Sequence, residues 1–391
     1  MTQLRIGLIS RAWPPHARGN GIARYTDELG RALHALGHEV HVFVESRERR
    51  RAVAPGLTVH GITADVLPVV RRFPETDRQL RWAVAVAGRV ASLADTLDVI
   101  ESPNWESQGI AVRRTLDVPL VVRLHSPLTV VAATGAPTHA SDDLAAAVAL
   151  ERWLVAHADG VTSSTEGVLA SVRATMGVEP VRHARIPLGV SSAPATEPGA
   201  PPRLLFVGRL ERRKGVHTLL AILPDLLAHH PDLHADLVGE ESDPAAPIRT
   251  RFEAEHRHAR WRRRCHFHGF VPDDALPRFY RDCTILVAPS LYESFGLVFL
   301  EAMRHGRAVV GTRTGGIPEV VRDGETGLLV PPEDPATLRD ALVRLLDDPA
   351  LCRRLGERGR EDVAARFSAR LMAERTVAFY ADVIAGGARR P

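Results

Sequence analysis

Short, continuous apolar runs alternate with longer amphipathic stretches along nearly the whole chain. In the first half the runs lie at 39–44, 97–101, 119–124 and 160–164, and in the second half at 203–208, 235–239, 265–270, 284–289 and 308–312. Helix patterns lie between them at 23–36, 142–156, 216–228 and 295–304. Apolar strands separated by helices of this size predict parallel sheets covered on both faces, and therefore an α/β fold.

The alternation is interrupted once, at 187–202, where five of the sixteen residues are proline and no period is visible. A chain of 391 residues is too long for one core, so this break is interpreted as an interdomain linker. We predict doubly wound, Rossmann-like domains at 1–187 and 203–366, joined by a linker at 188–202. The tail at 367–391 carries one long helix pattern and is predicted to return to the N-terminal domain.

Bulk composition excludes several classes of protein. The net charge of +3 is too small to argue for nucleic acid, although basic clusters at 45–51 and 260–264 leave contact with an anionic membrane surface open. Three cysteines without CxxC spacing indicate a reducing compartment and no structural zinc. With no signal-peptide pattern and no apolar stretch long enough to span a bilayer, we expect a cytoplasmic protein, with peripheral binding to the inner face of the membrane left open.

The chain contains a single lysine, Lys214, among its fifty basic Lys and Arg residues. It follows a predicted buried strand, in a turn that contains Gly208, Arg209 and Gly215. An ammonium is a compact charge on a slim stem, whereas a guanidinium is a planar fork, and a crowded phosphate pocket is a place where only the former fits. The alternative is a lysine that survived on the surface by chance.

A second turn carries two carboxylates, Glu293 in a loop after a predicted strand and Glu301 in the helix that follows. Ionised carboxylates accept hydrogen bonds only, so beside a phosphate site they suit the vicinal hydroxyls of a sugar or ribose. The alternative is a capping carboxylate plus a surface glutamate. A third turn, at 315–319, begins with two glycines and also precedes a helix. Three such turns in one half of the chain predict a diphosphate site.

Candidate residues in the N-terminal half also follow predicted strands. The loop Gly19-Asn20-Gly21 comes after the first strand, but Arg24 occupies the third glycine position of a dinucleotide fingerprint, so that function is disfavoured. His125 and Asn104 each close a strand, where the active sites of parallel sheets collect. The acidic pairs at 142–143, 273–274 and 347–348 are interpreted as helix caps, and no metal is predicted.

These motifs together resemble the retaining GT-B glycosyltransferases of glycosyltransferase family 4, the relatives of bacterial glycogen and sucrose synthases. The resemblance rests on Glu293-x7-Glu301, on Gly208-Arg209 with Lys214-Gly215, and on 315–319 with 324–330. It implies that two Rossmann-like domains face each other across a cleft, with the acceptor bound by 1–187 and the nucleotide sugar by 203–366.

The resemblance also implies roles for individual residues. Arg209 and Lys214 would bind the diphosphate, Glu293 the hydroxyls of the donor sugar, and Glu301 those of the ribose. His125 would lie beside the reacting sugar carbon. The remaining donor contacts are expected from Asn20, Gly21, Phe270, Val271 and the amides of Phe295, Gly296, Leu297 and Val298, and the acceptor side from Gly19, Tyr25, Asn104 and Trp105.

By this resemblance the chain is a retaining, metal-independent hexosyl-type glycosyltransferase without a cofactor, using a UDP- or GDP-sugar as co-substrate. The acceptor is expected to be a small molecule, a lipid or a glycan. The alternatives are a nucleotide-sugar epimerase or hydrolase of the same fold, and a non-catalytic nucleotide-sugar-binding protein. The chain departs from the family pattern at Asn20, at Leu188 and at Glu240, which bears on acceptor and base identity rather than on the reaction class.

Overall fold

The computed structural model describes residues 2–13, 21–64, 73–134, 141–241 and 247–387. The strands are β1 Arg5–Ile9, β2 Glu39–Glu45, β3 Arg51–Ala54, β4 Leu57–Ile62, β5 Val99–Pro103, β6 Leu120–Leu124, β7 Gly160–Ser163, β8 His183–Arg185, β9 Arg203–Val207, β10 His234–Val238, β11 Cys265–Gly269, β12 Ile285–Ala288, β13 Ala308–Thr312 and β14 Leu328–Val330.

The helices are α1 Gly21–Ala35, α2 Pro74–Ala91, α3 Ile110–Thr115, α4 Leu128–Ala133, α5 Ser141–His157, α6 Glu166–Met176, α7 Val216–His229, α8 Ile248–Glu255, α9 Leu276–Asp282, α10 Leu297–Met303, α11 Ile317–Val320, α12 Pro335–Asp347, α13 Pro349–Arg366 and α14 Ala369–Ala385. Short 3₁₀ turns lie at Ala94–Thr96, Trp105–Ser107, Arg212–Lys214 and Arg260–Arg264.

The described residues form two compact units. The first unit contains the described residues up to Gly189 and, from the C-terminal end, helix α14. The second unit contains Val190–Ser368 and also Thr134. The first unit has the strand order β3-β4-β2-β1-β5-β6-β7-β8 and the second β11-β10-β9-β12-β13-β14. All neighbouring strands pair in parallel except β3 with β4. The prediction of an α/β protein with two parallel sheets is confirmed.

Apolar side chains bury both faces of each sheet. In α1, for example, Tyr25, Leu29 and Leu33 lie four residues apart, on one face of the helix, and all three are buried. The strand β13, which lies between β12 and β14, is buried along its full length. This two-sided burial explains why these strands are continuous apolar runs rather than alternating ones.

The C-terminal helix belongs to the first unit, as predicted. Helix α14 packs against α1, and its Tyr380 hydroxyl donates a hydrogen bond of 2.9 Å to Glu101 in β5. Gly160 in β7 allows the close approach, since a Cβ there would lie 2.6 Å from Cγ2 of Val383. The helix begins at Ala369 rather than at 367, because Phe367 ends the preceding helix α13, with its amide bonded to the carbonyl oxygen of Val363, and Ser368 pairs with Val190 at the start of the second unit.

Candidate active site

The turn that carries Lys214 is bound to the loop after β12. A one-turn 3₁₀ helix, Arg212–Lys214, follows β9 and ends at Gly215, whose φ is +69°. A Cβ at Gly215 would lie 1.8 Å from the carbonyl oxygen of Pro289, so only glycine permits this approach. The amide of Leu291 donates to the carbonyl oxygen of Arg213 at 2.8 Å, which fixes the two loops together.

Lys214 and Glu293 form a largely buried ion pair within these loops, with 20% of the lysine side chain exposed. Lys214 Nζ donates to Glu293 Oε1 at 2.5 Å, and Ser290 Oγ donates to the same oxygen at 3.1 Å. Glu293 is only 8% exposed. Because a buried charge is costly without a partner, each group requires the other when no ligand is bound.

Burial alone would raise the pKa of Glu293, but the charges of Lys214 and Arg213 and two hydrogen bonds outweigh it and hold that pKa below its usual range. Burial lowers the pKa of Lys214, and the attraction of Glu293 offsets this only in part. The carboxylate is therefore ionised at neutral pH and can only accept hydrogen bonds.

The third predicted turn closes around Glu293 from the other side. The amide of Gly316 donates to the carbonyl oxygen of Glu293 at 2.8 Å, and Thr314 Oγ1 donates to that of Leu291 at 3.0 Å. Gly315 has φ of +53°, and a Cβ there would lie 2.2 Å from the Glu293 carbonyl oxygen. The structure thus brings the three turns together at the carboxyl edge of β9, β12 and β13.

Arg209 lies at the open side of this edge. Its side chain is 56% exposed, and its Nη2 lies 3.2 Å from Oε1 of the buried Glu211. The same oxygen accepts a 2.8 Å hydrogen bond from Nη2 of Arg213. Sequence reasoning missed Glu211, Arg213 and Ser290 as parts of the site. They stand next to motif residues, but nothing in their spacing distinguishes them from surface residues.

The helix after Glu293 starts later than predicted. It runs over Leu297–Met303 because Gly296 adopts φ of +94° and keeps the preceding residues in a turn. Glu301 is 3% exposed in the middle of this helix. The Phe295 ring is buried edge-on against Phe367, with ring centroids 5.8 Å apart, so only the backbone of Phe295 suits the predicted role as a donor.

The predicted base-contacting residues follow a strand on the same edge. The loops after β9, β10 and β11 are linked, since the amide of Gly208 donates to Val238 and that of Gly239 to Gly269, each at 2.9 Å. Phe270 follows directly and is 36% exposed, which is unusual for so large an apolar side chain. Val271 is half-buried. An exposed ring at this edge suits stacking against a planar ligand.

His125 in the first unit is positioned by Asn104. The amide of His125 donates to Asn104 Oδ1 at 2.7 Å, and Asn104 Nδ2 donates to Glu151 Oε1 at 2.5 Å. The other oxygen of Glu151 accepts from the amide of Leu128 at 3.1 Å. Asn104 is fully buried, and its side chain joins the loops that follow β5 and β6.

The His125 ring lies against a buried polar cluster. The Tyr25 ring packs edge-on to it at 5.6 Å, and the Tyr25 hydroxyl donates to Glu101 at 2.7 Å. Arg123 stacks over the Tyr25 ring at 4.8 Å. Burial, together with the charge of Arg123, lowers the pKa of His125 to about 3, so the ring is neutral at physiological pH. Among the described residues nothing bonds its Nε2.

The remaining predicted residues of the first unit divide into two groups. Gly19 and Asn20 lie outside the described residues, whereas Gly21 is exposed at the first position of α1. Trp105 is half-buried in the 3₁₀ turn after β5, and Tyr25 is buried with its hydroxyl already bonded. Tyr25 therefore supports His125, and its predicted contact with an acceptor stays a prediction. Sequence reasoning did not identify Glu101, Arg123 or Glu151, since a buried charge carries no periodic signal.

The acidic pairs serve as caps in two of three places. Asp348 accepts from the amide of Leu351 at 2.9 Å and caps α13. Asp143 instead caps a different helix, α2, by accepting from the amides of Glu75 and Thr76 at 2.9 and 3.0 Å. Asp273 and Asp274 do not cap α9, whose preceding residue is Ala275. Within the described ranges, no group of three or more His, Cys, Asp or Glu side chains is arranged to hold a metal ion.

Two parallel α/β sheets, together with matches to two glycosyltransferase family models, identify a glycosyltransferase of the GT-B class. The family model "Glycosyltransferase Family 4" matches residues 19–193, and "Glycosyl transferases group 1" matches residues 191–362. The chain belongs to the family 4 glycosyltransferases and is an enzyme of the type that uses nucleotide sugars.

Individual relatives match along nearly the full chain. A D-inositol 3-phosphate glycosyltransferase of Acidothermus cellulolyticus is 31% identical, over 93% of this chain and 86% of its own. The glycogen synthase of Mycobacterium tuberculosis is 29% identical, over 96% and 94%. Among solved structures, the sucrose-phosphate synthase of Thermosynechococcus elongatus superposes with a TM-score of 0.82 at 27% identity, covering 98% of this chain and 100% of that one. No helix among the described residues is long and apolar enough to cross a membrane.

Proposed function

We propose that the chain transfers a hexose from a UDP- or GDP-sugar to an acceptor hydroxyl, with retention of anomeric configuration and without a metal ion. The observation that carries the proposal is the buried pair of Lys214 and Glu293. The only ammonium side chain of the protein and a loop carboxylate meet at the carboxyl edge of a parallel sheet, where such folds bind ligands.

The pair supplies the two kinds of contact that a nucleotide sugar needs. Lys214 Nζ has three N–H donors, of which one is used on Glu293, and the others remain for a diphosphate. Arg209 is exposed at the same edge and provides a second cation. Glu293 accepts hydrogen bonds from hydroxyls of the donor sugar, because it stays ionised.

The remaining donor contacts follow the strand ends. We assign Glu301 to the ribose hydroxyls, the backbone of Phe295 to Val298 to the sugar and phosphates, and Phe270 with Val271 to the base. The exposure of the Phe270 ring supports the last assignment. Gly21 and Asn20 are assigned to the donor phosphates, and Gly19, Asn104, Trp105 and Tyr25 to the acceptor side, with Asn104 and Tyr25 acting through the groups they hold.

The chemistry is the displacement of a diphosphate. As the bond between the anomeric carbon and the phosphate oxygen breaks, its electron pair goes to the diphosphate, and Lys214 and Arg209 oppose the charge that develops there. The oxygen of the acceptor hydroxyl forms the new bond to the anomeric carbon on the same face of the sugar, and its proton passes to an oxygen of the departing diphosphate. His125 is assigned to the reacting sugar, where a neutral ring offers one nitrogen as donor and the other as acceptor.

The acceptor is proposed only as a class. The names of the relatives refer to glycogen, to D-inositol 3-phosphate and to sucrose phosphate, so a small molecule, a lipid and a glycan are all candidates. A cytoplasmic location, with peripheral membrane contact left open, stays a prediction.

The test measures nucleotide binding and donor consumption in matched variants. Thermal stabilisation by UDP, GDP and their sugars is compared between wild type, Lys214→Ala and Arg212→Ala. Arg212 lies in the same turn but is 68% exposed and paired with Glu333, so its removal controls for loss of charge. We expect Lys214→Ala alone to lose stabilisation and turnover, whereas equal behaviour of the two variants would refute the diphosphate assignment.

Glu293→Gln separates binding from sugar recognition. The variant should still be stabilised by the nucleoside diphosphate but should lose use of the nucleotide sugar, because the amide has an NH2 donor in place of one acceptor oxygen, whereas both oxygens of an ionised carboxylate accept hydrogen bonds from hydroxyls. Donor consumption without any acceptor would favour the hydrolase or epimerase alternative. Binding with no consumption of any donor in the presence of an acceptor panel would favour the non-catalytic one.

A further inference from the structure

The strand that leads to the proposed base-contacting residues ends in a β-bulge. Strand β11 lies at the end of the second sheet, beside β10. Its register with β10 shifts by one residue after Phe267, so His268 is the additional residue of the bulge. Gly269 follows with φ of +63°, and the exposed Phe270 ring comes next. The direction in which the chain leaves the sheet therefore depends on how His268 is held.

A buried carboxylate in the neighbouring strand holds the His268 ring. Asp236 in β10 is 6% exposed, and its Oδ1 lies 2.7 Å from Nε2 of His268. Its other oxygen accepts a 2.8 Å hydrogen bond from Nη1 of Arg203 in β9. Burial alone would raise the pKa of Asp236, but the hydrogen bonds from His268 and Arg203, together with the charges of these groups, hold that pKa below its usual range. Since an ionised carboxylate only accepts, Nε2 of His268 is the donor of the pair.

A second contact fixes the orientation of the same ring. Phe279 in α9 packs edge-on against His268, with ring centroids 4.8 Å apart. The His268 side chain is 30% exposed, so burial alone would not hold the ring in one place. The hydrogen bond to the ionised Asp236 is of the stronger, charge-assisted kind. It ties the bulge to β10 at the point where the regular ladder is interrupted.

We propose that Asp236 and His268 are positioning residues for the base of the nucleotide sugar. The carboxylate holds the His268 ring, the ring holds the bulge, and the bulge directs the Phe270 ring and Val271 toward the base. The inference rests on the proposed function, from which it takes the assignment of Phe270 and Val271 to the base. A pair that only stabilised the edge of the sheet would affect unfolding but not the affinity for a base.

The test measures the Kd of UDP and of GDP by isothermal titration calorimetry for matched variants. His268→Leu removes the donor, whereas His268→Gln restores an N–H donor at about the reach of Nε2. His266→Leu is the control, because His266 lies two residues earlier in β11 and its Nε2 lies 3.3 Å from Nδ1 of His234. His268→Leu should raise the Kd of the nucleotide that wild type binds at least about tenfold, the loss common for one hydrogen bond to a charged group. His268→Gln and His266→Leu should bind as wild type does.

Asp236→Asn tests the other partner of the pair. The amide has an NH2 donor in place of one acceptor oxygen, so it cannot accept from His268 and Arg203 as the carboxylate does. The double variant Asp236→Asn/His268→Leu should lose less affinity than the two single losses predict together, because both changes remove the same bond. The melting temperature of each variant verifies that folded proteins are compared.

Inorganic pyrophosphate separates the base from the rest of the donor, since it carries a diphosphate without a base. His268→Leu should bind pyrophosphate with the affinity of wild type, whereas Lys214→Ala should lose affinity for both ligands. In assays of donor consumption, His268→Leu should raise KM and leave kcat unchanged, because contacts to the base are equal in the ground state and the transition state.

Three results would overturn this inference and leave the proposed function intact. The first is that His268→Leu binds the nucleotide as tightly as wild type. The second is that His268→Leu loses as much affinity for pyrophosphate as for the nucleotide. The third is an equal loss in His268→Leu and His266→Leu, which would indicate a general effect on the edge of the sheet. If wild type binds neither UDP nor GDP, the proposed function itself is refuted, and the inference with it.

Discussion

Gly315→Ala tests whether the backbone of the third turn holds Glu293 in place, without changing any side chain of the site. A Cβ at Gly315 would lie 2.2 Å from the carbonyl oxygen of Glu293, and the residue has φ of +53°. The left-handed conformation costs an L-residue about 1–2 kcal/mol and overpacking about 1–3 kcal/mol, so the variant should lose about 2–5 kcal/mol of local stability. Because the loop must move to relieve the contact, turnover should fall as well.

Gly324→Ala is the matched control for this variant. Gly324 also has a positive φ, +72°, but a Cβ there would meet nothing within 4 Å. The local stability of Gly324→Ala should therefore fall only by the cost of the left-handed conformation, about 1–2 kcal/mol, and its activity should be unchanged. Hydrogen exchange of peptides covering 285–316, with turnover measured in parallel, compares the two. Similar exchange and similar turnover in both variants would refute the idea that close backbone approach positions Glu293.

Three further predictions concern the first unit. Asn104→Ala should cost about 1–3 kcal/mol, because it leaves Oε1 of Glu151 without its donor and the amide of His125 without an acceptor; turnover should fall while nucleotide binding in a thermal-shift assay stays unchanged. Burial raises the pKa of Glu151 to about 7 from 4.5, so the folded state holds a proton that the unfolded chain releases. The free energy of unfolding measured with urea should therefore fall as pH rises from 4.5 to about 7. Glu151→Gln should make this dependence of stability on pH less steep. Tyr380→Phe removes a hydrogen bond to the Glu101 carboxylate and should cost about 1.5–3 kcal/mol, seen as faster hydrogen exchange in α14 but not in the second unit.

The sequence predicted the central strands well and the edges poorly. The run at 308–312 matches β13, and the run at 39–44 is one residue shorter than β2, because strands buried on both faces must be continuously apolar. The strands β3, β4, β8 and β14 were not predicted. Three of them, β3, β8 and β14, have three or four residues and lie at the end of a sheet, where the demand for apolar residues is weakest, and β4 lies next to β3.

The candidate site was only partly visible in the sequence. The positions of Lys214 and Glu293 after strands placed them at one edge of the sheet, since the carboxyl ends of parallel strands lie together. Their direct pairing was not predictable, because it depends on the approach of the Gly215 and Gly315 turns in three dimensions. The same holds for Glu101, which binds hydroxyls from Tyr25 and from Tyr380, 279 residues away along the chain.

The structure also indicates why lysine was retained at position 214 and nowhere else. Burial is not the reason, because Arg113 and Arg123 are more deeply buried than Lys214 and use the fork of their guanidinium on carbonyl oxygens of His157 and Ile186. Lys214 differs in its surroundings. Its stem passes Gly208, where a Cβ would lie in ordinary contact, 3.6 Å from Cγ of the lysine, and its ammonium donates to a carboxylate oxygen of the facing loop. A planar guanidinium is larger than an ammonium and would have to take its place beside this carboxylate. We therefore expect Lys214→Arg to keep the charge but lose most of the turnover, and a fully active Lys214→Arg enzyme would show that charge alone explains the residue.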